Sequence, residues 1–231
     1  MNMPKNNKLD TNWQISMTVD DILRGQGAVP DIIRRRKPVI LQAAERAYSD
    51  GSSLLHPIAV TTELLVREHR HERIFLDGGN ILANPLVTRH LTGAQRVAAA
   101  ICSIGPELEE TVTHLLGEDP LYALALDGLG NAAVEILAQQ VCRRIAERVE
   151  AEELQASTPL SPGSQDWPVE IGQPQIFSLL DPSLAGIHLT PAGMMLPKKS
   201  MSFIVGLGTE MSQANMCLVC SMKETCRYQH A

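Results

Sequence analysis

The chain has 231 residues, enough to bury a sizeable core as one large domain, and its 44% hydrophobic content excludes a disordered polypeptide. Only 3% of residues are aromatic, so Leu, Ile, Val, Ala and Met must build the core. A net charge of −6 argues against non-specific nucleic-acid binding, and no run of about 18 apolar residues points to a membrane span.

Residues 1–17 are polar, carry no apolar signal region, and read as a flexible arm ahead of a domain over 18–210. With five cysteines, an odd number, they predict a cytoplasmic protein with thiols that are free, metal-bound or redox-active. Thr18 with Asp21 three residues on is a helix-start signature. Pro30 opens a second short helix, and apolar spacing from Pro38 to Tyr48 predicts a third, ended at Asp50-Gly51. Residues 58–69 read as a further helix. Arg73 to Leu76 reads as a strand closed by the turn Asp77-Gly78-Gly79.

Val97 to Ile101 is a compact apolar run, expected as a buried strand. Gly105-Pro106 breaks the chain, and Glu107 to Leu116 is helical in pattern. Asp119 and Pro120 then open the best helix, with Leu126, Leu129, Ala133, Leu137, Val141, Ile145 and Val149 at three- and four-residue spacing. It is expected to reach about residue 153, with Arg143, Glu147 and Glu150 on its polar side. Residues 155–168 are a loop by composition. Gln173 to Leu180 reads as a helix, and Ile187 to Thr190 and Ser202 to Leu207 as strands. Without a βαβ alternation, the fold class is α+β: a mixed or antiparallel sheet packed with helices around one long central helix.

Several patterns bear on chemistry. Gly128-Leu129-Gly130-Asn131-Ala132-Ala133 matches a dinucleotide fingerprint, but it falls inside a helix already begun at Pro120, so close helix packing explains it better. Asp127, Asn131 and Glu135 share one helix face, either a solvated stripe or a wall able to receive a sulfonium or ammonium group. None of the seven histidines forms a zinc pair, and no G-x-S-x-G elbow is present. Ser161, Pro162, Gly163, Ser164 and Trp167 lie in a Pro-Gly turn that can expose backbone to a small ligand, with Trp167 as a stacking surface. The tail, 211–231, carries Cys217-x-x-Cys220 and Cys226, a spacing suited to zinc or an iron–sulfur cluster, with inert thiols or a redox thiol pair as the alternatives.

Ser103-Ile104-Gly105-Pro106-Glu107-Leu108-Glu109 resembles the segment TIGPELE of free-standing relatives of the cobalamin-dependent methionine synthase activation domain. Residues 126–135 resemble their long helix, LDAIGSAAVE. Ser161-Pro162-Gly163 through Pro168 resembles the R-x-x-P-G-Y-x-x-x-P loop of that domain. Leu189-Thr190, Met195, Pro197, Ser200 and Ser202 resemble its L-T-E-S-x-x-M-x-P-x-x-S-V-S segment. Pro159, Ser164 and Pro191 stand where the family has arginine, tyrosine and glutamate.

The resemblance implies a module that binds S-adenosylmethionine, docks over the cobalamin of a corrinoid methyltransferase such as methionine synthase, and supports its reductive remethylation. Loop 161–168 and Met195 would hold the ligand, with Asp127 or Glu135 meeting its cationic end. The cysteine tail is absent from the full-length synthase domain and is no part of the resemblance; Cys217, Cys220 and Cys226 themselves suggest an added cluster that delivers the electron in place of an external flavoprotein. The rival expectations are a ligand-free partner of a corrinoid protein and a metal-bearing redox activator of another corrinoid enzyme.

Overall fold

The computed structural model describes residues 7–163 and 166–211. In chain order the elements are β1 (Lys8–Asp10), α1 (Val19–Gly25), α2 (Pro30–Arg36), α3 (Pro38–Asp50), β2 (Ile58–Arg70), β3 (Arg73–Leu76), β4 (Ile81–Ala83), α4 (Pro85–His90), β5 (Arg96–Ser103), α5 (Glu107–Leu115), α6 (Pro120–Glu150), β6 (Gln155–Ala156), α7 (Val169–Leu179), β7 (His188–Leu189), β8 (Met195–Leu196) and β9 (Ser200–Gly208). Seven strands form one antiparallel sheet in the order β4-β3-β2-β5-β9-β6, and β1 adds to the edge of β2 that β3 also uses. β7 and β8 make a separate hairpin. The fold is α+β with one long central helix, as the sequence predicts.

Local signals set the helix ends. Thr18 and Asp21 form a reciprocal capping box on α1. The Asp119 side chain accepts the Tyr122 amide at the start of α6, with Pro120 in the first turn.

The central strands alternate, but both of their faces are buried. Ala98, Ala100 and Cys102 of β5 face α1, α3, α5 and α6, together with Phe203, Val205 and Leu207 of β9. Val97, Ala99, Ile101 and Ile204 face a second core built with Leu86, Val87, Trp167, Ile176 and Leu179. Small residues on β5 let α6 lie close. α1 crosses α6 through Gly25 and Gly128, where a Cβ on Gly25 would stand 2.1 Å from the Gly128 carbonyl oxygen. The fingerprint-like glycines therefore serve helix packing, as expected. α6 has the length and hydropathy of a membrane span, yet 67% of its most apolar stretch is buried within the protein.

Two expectations are corrected. Residues 58–69 are strand β2, not a helix. Ile58, Val60, Thr61, Thr62 and Val66 are β-branched, and that preference prevails over the short apolar spacing. The described part of the arm, from Asn7, is not loose: β1 is hydrogen-bonded to β2, and Trp13 is buried beneath the Arg144 guanidinium, 3.8 Å from the ring centre. Trp13 Nε1 donates to the Asp10 carbonyl (2.9 Å), and Asp10 pairs with Arg144.

Candidate ligand-binding site

The segment after α6 is fastened along the outer edge of β9. The Ser157 amide donates to the Gly206 carbonyl (2.8 Å), and Leu160 and Ile204 exchange both backbone hydrogen bonds (2.9 Å each). The His90 ring meets the Thr158 carbonyl at 2.8 Å, and Asn84 Nδ2 donates to the Asp166 carbonyl at 2.7 Å. Because strand residues alternate, the backbones of Ser200 and Ser202 face the same outer edge as Ile204.

Between this fastened segment and the C-terminal half of α6 lies a groove of about 400 Å³. Cys142, Ala146, Ala156 and Val205 contribute small or medium side chains to its walls, with Arg143 and Glu150 as its charged groups. Pro159 also lines it. The volume is in the range of about 300–1,000 Å³ that holds small molecules.

The turn ahead of Trp167 is well formed. Gly163 has φ +109°, a conformation glycine tolerates, and its amide donates to the Trp167 carbonyl at 2.8 Å. Pro162 packs on Gly172 of α7, and Ser161 is half-buried. Trp167 itself is fully buried in the second core, and its Nε1 has no partner among the described residues. Its expected stacking surface is thus closed, because the ring fills a core position. Met195 is half-buried in β8 and packs on the same core. Ser164, Cys217, Cys220 and Cys226 lie outside the described residues.

On α6 the polar stripe has an internal cation. Lys199 Nζ lies 2.6 Å from Asp127 Oδ1 and 2.6 Å from Asn131 Oδ1, and Asn131 Nδ2 donates to the Gly25 carbonyl at 3.0 Å. Gly130 leaves room for the lysine stem: a Cβ there would sit 3.2 Å from Lys199 Cε. The Asp127 carboxylate therefore already has a positive partner. Glu135 is half-buried without such a partner among the described residues, and burial raises the pKa of its carboxyl above the ordinary value.

A second cavity, about 710 Å³, opens between α5 and the β7–β8 hairpin, lined by Pro106, Glu109, His114, His188, Leu196 and Pro197. Glu109 closes one wall by accepting from the Lys198 amide (2.9 Å) and pairing with its Nζ (2.9 Å). Burial opposes ionisation of Glu109, but the Lys198 hydrogen bonds and charge outweigh it and lower the carboxyl's pKa.

Burial pushes the Cys102 and Cys142 thiols up to about 12, so both stay protonated near neutrality and neither is a ready nucleophile. Among the described residues no group of three His, Cys, Asp or Glu side chains is arranged to hold a metal.

The structure does not gather the sequence-predicted residues into one site. Asp127 is engaged by Lys199, Trp167 and Met195 join the second core, and neither cavity is lined by Asp127, Glu135 or Ser161–Gly163. Sequence reasoning missed Lys199 and the groove-lining role of Arg143. Arg143 and Arg144 are adjacent in sequence, and only the packed arm shows that Arg144 is committed to Asp10 while Arg143 faces the groove.

These features define an α+β module with a ligand-sized groove along the outer edge of its sheet. The same fold occurs in the crystal structure of the MetH reactivation domain bound to AdoHcy. That structure is similar over 87% of this chain and 78% of its own, with a TM-score of 0.60 and 15% sequence identity. No family model matches the sequence, and no curated protein matches it.

Proposed function

We propose that the protein binds an S-adenosyl ligand, S-adenosylmethionine in its working state, and docks on a corrinoid methyltransferase such as methionine synthase to support remethylation of its cobalamin. The observation that carries the reading is the fold it has in common with a reactivation domain bound to AdoHcy. The groove beside β9 supports it: its size suits a nucleoside, and its small side chains leave room for a flat ring.

In this reading the partner's cobalamin supplies the chemistry. This chain binds the nucleoside, holds it against a preformed edge, and presents it to the corrinoid. The Leu160–Ile204 pairing and the Asn84 and His90 contacts keep that edge rigid before ligand arrives. Ser161, Pro162 and Gly163, outside the groove's lining, would support its edge from the adjoining turn, and Glu135, about two turns before Cys142 on α6, stands beyond the groove. Asp127, Trp167 and Met195 would act from behind, through Lys199 and the core.

Cys217, Cys220 and Cys226 are proposed to hold zinc or an iron–sulfur cluster; a cluster would supply the electron the remethylation requires, whereas zinc, which has no redox chemistry, would leave that electron to an external reductase. Iron and zinc analysis of anaerobically purified protein tests that addition, and a metal-free sample with full activity sinks it. The main proposal is tested by isothermal titration with S-adenosylmethionine and AdoHcy. Saturable binding is expected, and no heat at millimolar ligand overturns it.

A second reading, a corrinoid-protein partner that binds no nucleoside, is favoured by Pro159 and Ser164 at the family's arginine and tyrosine positions. It predicts co-elution with the methyltransferase and no titration heat.

A further inference from the structure

α6 carries several arginines over its last two turns, and their commitments differ. Arg144 stacks on Trp13 and pairs with Asp10, and Arg148 pairs with Glu63, both on the side of the arm and β2. Arg143 points the other way, lines the groove beside β9, and has no carboxylate partner among the described residues. Lys198 and Lys199 are engaged elsewhere, by Glu109 and by Asp127, and do not line the groove. Arg143 is thus the uncommitted cation of a groove whose other charged lining residue is Glu150, among small, apolar and neutral polar side chains.

An arginine left without an anion beside a concave surface is suited to a planar, bidentate acceptor. Glu150 lies seven residues further along the same helix, about 10 Å away along the axis. The groove therefore has a positive end and a negative end separated by roughly the length of a nucleoside. Cys142, between Arg143 and the sheet, remains a neutral thiol because burial raises its pKa to about 12, so it does not compete for the guanidinium.

We infer that Arg143 anchors the carboxylate of an amino-acid-bearing nucleoside in this groove, with the adenosine body lying along Ala146 and Ala156 toward Glu150. The inference rests on the proposed S-adenosyl binding and names the residue that selects the amino-acid portion. The carboxylate becomes the feature that separates the ligand from other adenosine compounds.

The test compares S-adenosylmethionine with decarboxylated S-adenosylmethionine, which keeps the sulfonium and the amine and lacks only the carboxylate. Titrations are run on the full chain and on Arg143→Ala and Arg143→Lys. Arg143 is exposed, so both variants should melt as the parent does. Arg143→Ala should weaken S-adenosylmethionine by about tenfold or more, the loss of a charge-assisted hydrogen bond, while leaving the decarboxylated compound unchanged. Arg143→Lys should fall between. Equal loss for both ligands, or undiminished S-adenosylmethionine binding by Arg143→Ala, overturns the assignment of Arg143 alone. Failure of the unmodified chain to bind S-adenosylmethionine overturns the nucleoside reading and this inference with it.

Discussion

Trp167 and Glu135 show how a residue's surroundings decide its part. Trp167 reads from its loop position as an open ring, but the turn before it tucks the indole under Gly172 and Pro162. It is fully buried beside Ile176 and Leu179, so its first duty is packing. Trp167→Ala should cost about 3–5 kcal/mol, as large core truncations do, and a denaturant titration measures it. A loss below 1 kcal/mol would mean the ring is dispensable to the core. Glu135 presents the opposite case, a carboxyl whose ionised form burial disfavours. Its native pKa lies above its unfolded one, so the protonated form favours folding. The associated stability is present below the unfolded pKa and is lost as pH rises through the native value. Glu135→Gln removes that dependence. Thermal melts should therefore show the variant gaining on the parent from acid toward neutral pH, and parallel curves would contradict the burial argument.

At the scale of elements, the crossing of α1 over α6 is the tightest contact. Gly25 and Gly128 face each other so closely that a methyl group on either must displace backbone. Gly25→Ala should cost at least about 1–3 kcal/mol through overpacking, seen as a lowered melting temperature. An unchanged melt would show that α1 can slide along α6 freely. The same scale explains what could be read in advance. Helix ends were legible because their signals are local: Thr18 with Asp21, Pro30, Pro38, and Asp119 with Pro120. β2 was not, because the sheet is covered on both sides. With Val60 in one core and Ala59 in the other, apolar residues run consecutively and the period of two disappears. The turn 161–163 was legible as a turn, whereas the groove was not. Its walls come from α6, β9 and the segment 154–159, brought together by long-range pairings such as β6 with β9, Ser157 with Gly206 and Leu160 with Ile204. Lys199 reaching Asp127 depends on the same long-range closure.

At the scale of the molecule, two apolar layers share one sheet, and the arm ties them across its edge. Trp13 belongs to the layer under α6, while Asn7 Oδ1 accepts the Asp181 amide at 3.1 Å, just past the second layer's Leu180. Removing residues 1–14 should strip β1 from β2, expose the Arg144 face of α6, and lower the melting temperature. The groove beside β9 lies on the far side of α6, away from Arg144, and should survive the truncation. Ligand and arm are then separable by linkage. A ligand that binds only the folded state at about 100 times its Kd adds about 2.7 kcal/mol. For a chain of this length that is a rise of roughly 5–10 °C in melting temperature. S-adenosylmethionine should produce that rise in the full chain and in the truncated one alike, because the arm does not border the groove. A rise in the full chain that vanishes on truncation would move the ligand to the arm side of α6, against the cavity lined by Trp13, Glu63 and Arg148.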